Sequence, residues 1–170
     1  NLENIDTSLV NCADFKGQPL LVMFICNHCP FVQHIRSALA AFARDFAPQG
    51  LKIVGINSND IEAHPEDGPE NMIKEARAFD YCFPYLFDAN QNVAKSYGAM
   101  CTPDFFLFDK DHALAYHGQF DNSRPTNEIS PDGASLREAW TQLLEAGAVT
   151  TEQSMSIGCG IKWIPGNEPW

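Results

Sequence analysis

Cys26-Asn27-His28-Cys29 is the part of this 170-residue chain best suited to chemistry. Two thiols at this spacing can exchange with a disulfide. The first sulfur attacks, and a second thiol one helical turn away is the group that can reach and displace the mixed disulfide. On that reading Cys26 is the nucleophile and Cys29 the resolving thiol. The setting agrees. Pro19 to Ile25 is a continuous apolar run of the kind buried on both faces of a sheet. Pro30 suits a helix's first turn, and Phe31, Ile35, Leu39, Phe42 and Phe46 then keep to one face. A thiol at a helix N-terminus meets free amides and the positive end of the dipole, so Cys26 is expected to be acidic, below the ~8.5 of a free thiol. His28 is the expected tuner, donating to the Cys26 thiolate. Two other readings compete. The pair can be buried structural thiols, or soft metal ligands with His28, Cys101 or Cys159 completing the shell. A structural zinc site needs a second CxxC or CxxH, which the chain lacks. No metal and no bound cofactor are therefore expected.

The elements that must position this motif follow from patterning. The first helix is followed by a second buried strand, Leu51 to Ile56, which makes a right-handed parallel β-α-β unit. Asn57 to Glu70 is polar and acidic and reads as a surface loop. A helix from Glu70 to Phe79, a strand at Tyr85 to Phe87 and a helix from Gln91 to Tyr97 come next. Strands Asp104 to Asp109 and Ala113 to His117 flank Lys110-Asp111-His112, a hairpin-length loop. A last helix, Ala134 to Ala146, turns Leu136, Trp140, Leu143 and Leu144 to one side. Thr7 to Val10 is a short strand, Phe15 to Gly17 a turn, and residues 149–170 an irregular tail. One domain is expected, with its core at about 7–148.

A net charge of −11 argues against nucleic acid or an anionic membrane as partner, since both would repel the chain. No apolar run approaches the roughly 18 residues of a membrane span. Six cysteines are too sparse for a disulfide scaffold, so Cys12 and Cys82 read as core and His64, among acidic residues, as solvated. The cytoplasm is the expected compartment; residue 1 is Asn, which leaves room for an upstream signal segment. Sequence sets no oligomeric state.

The element order, together with Phe24-Ile25-Cys26-Asn27-His28-Cys29-Pro30, Gly98 to Asp109 and Ile157 to Trp163, resembles the thioredoxin-like superfamily. Within it the resemblance is to the peroxiredoxin-like branch of the alkyl hydroperoxide reductase and thiol-specific antioxidant group, AhpC/TSA. It implies an α/β thioredoxin-like fold, a central mixed sheet flanked by helices. It also implies a cis-proline at Pro103 that exposes the Thr102 backbone to pair with an extended substrate. The tetrapeptide is similar to that of strongly oxidising bacterial disulfide oxidases, with a histidine before the second cysteine. Two departures stand out. Thioredoxins carry a buried carboxylate six residues before the first cysteine, where this chain has Leu20, and a tryptophan where it has Ile25. The peroxiredoxin Pro-x-x-x-Thr/Ser-x-x-Cys motif fails in either register, giving Val22 and Cys26 or Pro19 and Met23. Arg124 is the candidate peroxide-site arginine, with a surface salt bridge as its other reading. Cys101 and Cys159 are candidate extra redox thiols, against core packing. The expectation is thus a thiol-disulfide oxidoreductase acting on protein or small-molecule disulfides. A peroxiredoxin-like thiol peroxidase acting on hydroperoxides and a metal-delivery module through Cys26 and Cys29 are the alternatives.

Overall fold

A computed structural model describes residues 1–169. Its chain order is β1 (Leu2–Asn4), β2 (Leu9–Val10), β3 (Leu20–Phe24), α1 (Pro30–Phe46), β4 (Lys52–Asn57), α2 (Pro69–Ala78), β5 (Tyr85–Phe87), α3 (Asn92–Tyr97), β6 (Cys101–Thr102), β7 (Asp104–Phe108), β8 (Leu114–Gly118), α4 (Ala134–Ala146) and β9 (Cys159–Gly160). Seven strands form one mixed sheet in the order β2-β1-β5-β4-β3-β7-β8. β3, β4 and β5 are parallel, and β7 and β8 return antiparallel.

β3 lies between β4 and β7 with all five residues buried, because alternate side chains feed two different layers. Leu21 and Met23 join Leu39 and Phe42 of α1 and Trp140 of α4 on one face. Leu20, Val22 and Phe24 pack with Val54, Ile56 and Phe106 on the other. This is the mixed sheet flanked by helices expected of a thioredoxin-like fold, and it puts the end of β3 and the start of α1 at the sheet's C-terminal edge.

Several expectations change. β1 extends the sheet beyond Thr7, whose φ of 70° ends the extended run between the two short strands. Leu144 lies on the outer side of α4 and is exposed. Cys12 and Cys82 are exposed rather than core. The polar loop after β4 is partly interior, with Asn57, Ser58, Asn59 and Asp67 buried. The tail is ordered into a strand, since β9 pairs antiparallel with β6. Gln91 anchors that tail. It sits at φ 60°, donates from Nε2 to the Ser58 and Lys162 carbonyls, and accepts from the Ile164 amide. Among the described residues no helix is long and apolar enough to cross a membrane.

Candidate active site

The sulfurs of Cys26 and Cys29 lie where β3 ends and α1 begins, with Cys29 as the N-cap residue of α1. Opposite them is the loop between β6 and β7, whose Thr102-Pro103 peptide bond is cis as the resemblance implies. Thr102 reaches both thiols. Its Oγ1 is 3.3 Å from Cys26 Sγ, and its carbonyl oxygen is 3.1 Å from Cys29 Sγ and accepts that thiol's proton when the pair is neutral. A hydroxyl beside the first cysteine is what the local peroxiredoxin pattern failed to supply, and here it comes from 76 residues away.

A carboxylate arrives the same way. Asp67 is fully buried beneath the motif. Its Oδ1 accepts from the Asn27 and His28 amides at 2.8 and 3.0 Å, and its Oδ2 lies 2.5 Å from His28 Nδ1 and 2.8 Å from Asn59 Nδ2. This residue, missed in the sequence within a polar acidic loop, supplies the buried charge that Leu20 lacks. It also redirects His28. The Nδ1 that was expected to serve Cys26 is 4.0 Å from that sulfur and is held instead by Asp67. His64 is likewise not simply solvated, for its ring stacks on His28 at 4.8 Å between centroids. Tyr85 completes the floor, donating to Asn27 Oδ1 at 3.0 Å.

Cys26, His28 and Asp67, and His28, His64 and Glu66, bring possible metal-ligating atoms within 4.8 Å of one another. The hydrogen bonds do not favour an ion there. Both Asp67 oxygens are already occupied by protein donors, and the His28 nitrogen facing Cys26 is one of them. An ion would have to break a satisfied buried network.

The two thiols titrate as a pair, and the asymmetry runs opposite to expectation. Cys29 is lowered to about 4, chiefly by the bond from Cys26; burial opposes this, and the Thr102 hydroxyl, the Val32 amide and Cys159 add to it. Cys26 is pushed far up, chiefly by its bond to Cys29, then by burial and the Asp67 charge. The physical reason is position. Cys29 stands at the N-cap of the helix, at the positive end of its dipole, whereas Cys26 stands outside it against a carboxylate. The negative charge of the singly ionised pair therefore rests on Cys29.

Cys26 is 1% exposed and Cys29 is 0% exposed, and the cover is the chain's own tail. Thr102, expected to offer its backbone to a substrate, is the partner of Cys159 in the β6-β9 ladder. Gly158 passes so close that an added Cβ would lie 2.0 Å from the Thr102 carbonyl oxygen. Cys159 is half-buried and packs against the cluster that holds Cys26 and Cys29. Burial first, then Cys29, raises it to about 11. Cys101 faces the Pro103 and Ser156 carbonyl oxygens at 3.7 and 4.0 Å, and burial raises it to about 12, which suits a packed neutral thiol.

Among the described residues no hydrogen bond joins Arg124 to the thiols. It lines a small cleft with Pro103 and Phe31, and its guanidinium donates to the Asp121 and Ser123 carbonyls and to Gln119 Oε1. Those bonds replace the expected surface salt bridge and fasten the loop before α4.

Comparison with known proteins decides the family. The AhpC/TSA family model matches residues 1–117, more than half of the chain. The chain belongs to the AhpC/TSA family. Two solved structures are similar over 96% of this chain with TM-scores of 0.93. One is a conserved protein from Geobacillus kaustophilus, 51% identical, of which 88% is covered; the other is a hypothetical protein from Sinorhizobium meliloti 1021, 52% identical, of which 90% is covered. Among curated proteins, the thiol:disulfide interchange protein DsbE of Vibrio cholerae is 30% identical over 67% of this chain and 57% of its own length. The 1-Cys peroxiredoxin PER1 of Zea mays is 25% identical over 71% of this chain and 53% of its own. This AhpC/TSA chain thus spans little more than half the length of the curated relatives it matches.

Proposed function

We propose that this AhpC/TSA protein is a thiol-disulfide oxidoreductase whose working pair is Cys26 and Cys29. The observation that carries the reading is the pair itself, two sulfurs at a helix N-terminus that share one proton and face a cis-proline. The similarity to a thiol:disulfide interchange protein supports it. The charge asymmetry gives each cysteine a task. Cys29, the thiolate of the resting pair, takes the proton of Cys26 as general base. The Cys26 sulfur attacks one sulfur of a substrate disulfide, forming a mixed disulfide and releasing the other half as a thiolate that is protonated by Cys29 or solvent. Cys29, again ionised, then attacks Cys26, releases the second thiol and leaves a Cys26-Cys29 disulfide. Two electrons pass to the substrate, and the reverse sequence oxidises a dithiol. Thr102 donates to the Cys26 thiolate as it forms, and Asp67 fixes His28 and the Asn27 amide beneath it. Protein or small-molecule disulfides are the proposed partners, and the cytoplasm the proposed compartment.

A Cys29→Ser variant tests this. Mixed with a disulfide-bearing protein it is expected to accumulate a covalent adduct on Cys26, reversed by dithiothreitol. No adduct, with the wild type also inert toward disulfides, would sink the reading.

The Thr102 hydroxyl beside Cys26 favours a second activity, thiol peroxidase, which the similarity to a peroxiredoxin also supports. Arg124, the arginine expected to serve it, is held instead by Asp121, Ser123 and Gln119. Stopped-flow mixing of reduced protein with hydrogen peroxide separates the two, since thiol loss faster than disulfide exchange would favour the peroxidase.

A further inference from the structure

A pair of thiols this deeply covered has to exchange electrons with something outside, and the cover itself contains a sulfur. β9 lies on β6 in the place where the resemblance puts a substrate strand, with Cys159 opposite Thr102. The Thr102 carbonyl touches Cys29 Sγ from one side and Gly158 from the other. Gly158 has no side chain to keep the two backbones apart. Cys159 therefore packs against the cluster that holds Cys29, in the position of a substrate cysteine. It is also the sulfur of the three that is half-exposed, while Cys26 and Cys29 are closed off.

From this arrangement we infer that Cys159 is the third redox thiol of the site and the one that receives electrons from an external dithiol. The inference rests on the Cys26-Cys29 exchange reading and gives it a return path. After substrate turnover the oxidised pair is Cys26-Cys29. The Cys159 thiol loses its proton and attacks Cys29 Sγ. The Cys26-Cys29 bond breaks, Cys26 leaves as thiolate and takes up the proton Cys159 gave, and a Cys29-Cys159 disulfide remains. No electrons are gained or lost in that step. An external dithiol then attacks the half-exposed Cys159 sulfur through a mixed disulfide and leaves as its own disulfide. Its two electrons restore Cys29 and Cys159 as thiols. Cys26 thus reacts with the substrate and Cys159 with the electron donor. Intramolecular attack needs no open site and acts at the ~mM or higher effective concentration of a tethered group. Cys101 is the internal control, because it neighbours the same loop but points to the carbonyl oxygens of Pro103 and Ser156.

The test uses the full chain. A Cys26→Ser variant is oxidised with one equivalent of diamide, alkylated, digested without reduction and mapped by mass spectrometry. The expected product is a Cys29-Cys159 disulfide. Cys29 left free, or paired with Cys101, overturns the relay. The wild type treated alike separates the two levels of argument. A Cys26-Cys29 disulfide in the wild type without Cys29-Cys159 in the variant defeats the relay alone, while absence of both defeats the underlying reading. A second measurement uses Cys159→Ala, whose re-reduction by a thioredoxin-type dithiol protein is expected to slow by roughly tenfold or more. An unchanged rate also overturns the relay.

Discussion

Replacing Gly158 with alanine should unmask the buried thiols. The added Cβ would sit 2.0 Å from the Thr102 carbonyl oxygen, 2.6 Å from the Thr102 carbonyl carbon and 3.0 Å from the Pro103 nitrogen, against an ordinary contact of 3.4–4 Å. All three are backbone atoms of a cis-proline loop held by β7. Thr102 and Pro103 are buried whereas residues 157–160 are half-buried or exposed, so β9 is the side that gives way. What holds the tail locally is the burial of Ile161, worth ~1.5–3 kcal/mol, and hydrogen bonds such as Ile161 N–H to the Met100 carbonyl at 3.0 Å. Each such bond adds ~0.5–1.5 kcal/mol. Docking of about 3 kcal/mol leaves the tail open roughly one part in a hundred, at 1.4 kcal/mol per tenfold. In a Cys12→Ser/Cys82→Ser background, which removes the exposed thiols, Gly158→Ala should therefore raise the rate of the Cys26-Cys29 pair with Ellman's reagent by up to ~100-fold. Gly160→Ala is the control, since its Cβ meets only the Met100 oxygen at 3.9 Å and the rate should not change. A Gly158→Ala protein that melts cooperatively yet reacts at the wild-type rate would refute the occlusion argument.

Further outcomes follow from the charges and bonds of the site. With Cys29 at about 4 against 9.0 for an ordinary thiol, the folded reduced protein binds fewer protons than the unfolded chain between those values. Denaturant melts of the reduced form should show stability rising from about pH 4 to about pH 9, and above that the raised Cys26 reverses the trend; Cys29→Ser should flatten the rise. Asp67→Asn removes a negative charge that helps to raise Cys26, so Cys26 should ionise at lower pH in a thiolate-absorbance titration; an unchanged or higher value contradicts the charge argument. The same change costs ~1–3 kcal/mol of stability, because an amide cannot satisfy all the donors Asp67 now serves. Arg124→Ala should cost a similar ~1–3 kcal/mol through its lost loop bonds and leave peroxide reactivity unchanged. Loss of peroxide reactivity at full stability would return Arg124 to the site.

The strand, the helix and the dithiol between them were legible because β3 is one unbroken apolar run and α1 repeats its apolar residues at helical spacing. α4 was found to the residue for the same reason. β9 was not, since two residues carry no period. Asp67 escaped because its neighbours Glu66, Gly68 and Pro69 are those of a solvated turn, and its burial depends on Asn27, His28 and Asn59 closing over it. The roles of Cys26 and Cys29 in the charge balance were inverted for a related reason. Local sequence shows the helix N-terminus but not which of two sulfurs the distant Asp67 carboxylate lies against. Exposure of Cys12 and Cys82 was misjudged because a cysteine looks alike in a core and on a surface loop.

Equilibrating the protein with a glutathione redox series and mapping its disulfides at each poise shows whether Cys26 and Cys29 are the working pair. A single two-electron transition is predicted, carried by a Cys26-Cys29 disulfide, with a midpoint above the roughly −270 mV of thioredoxin because the lowered Cys29 stabilises the reduced form. Cys26 and Cys29 remaining free thiols across the whole series would contradict that role.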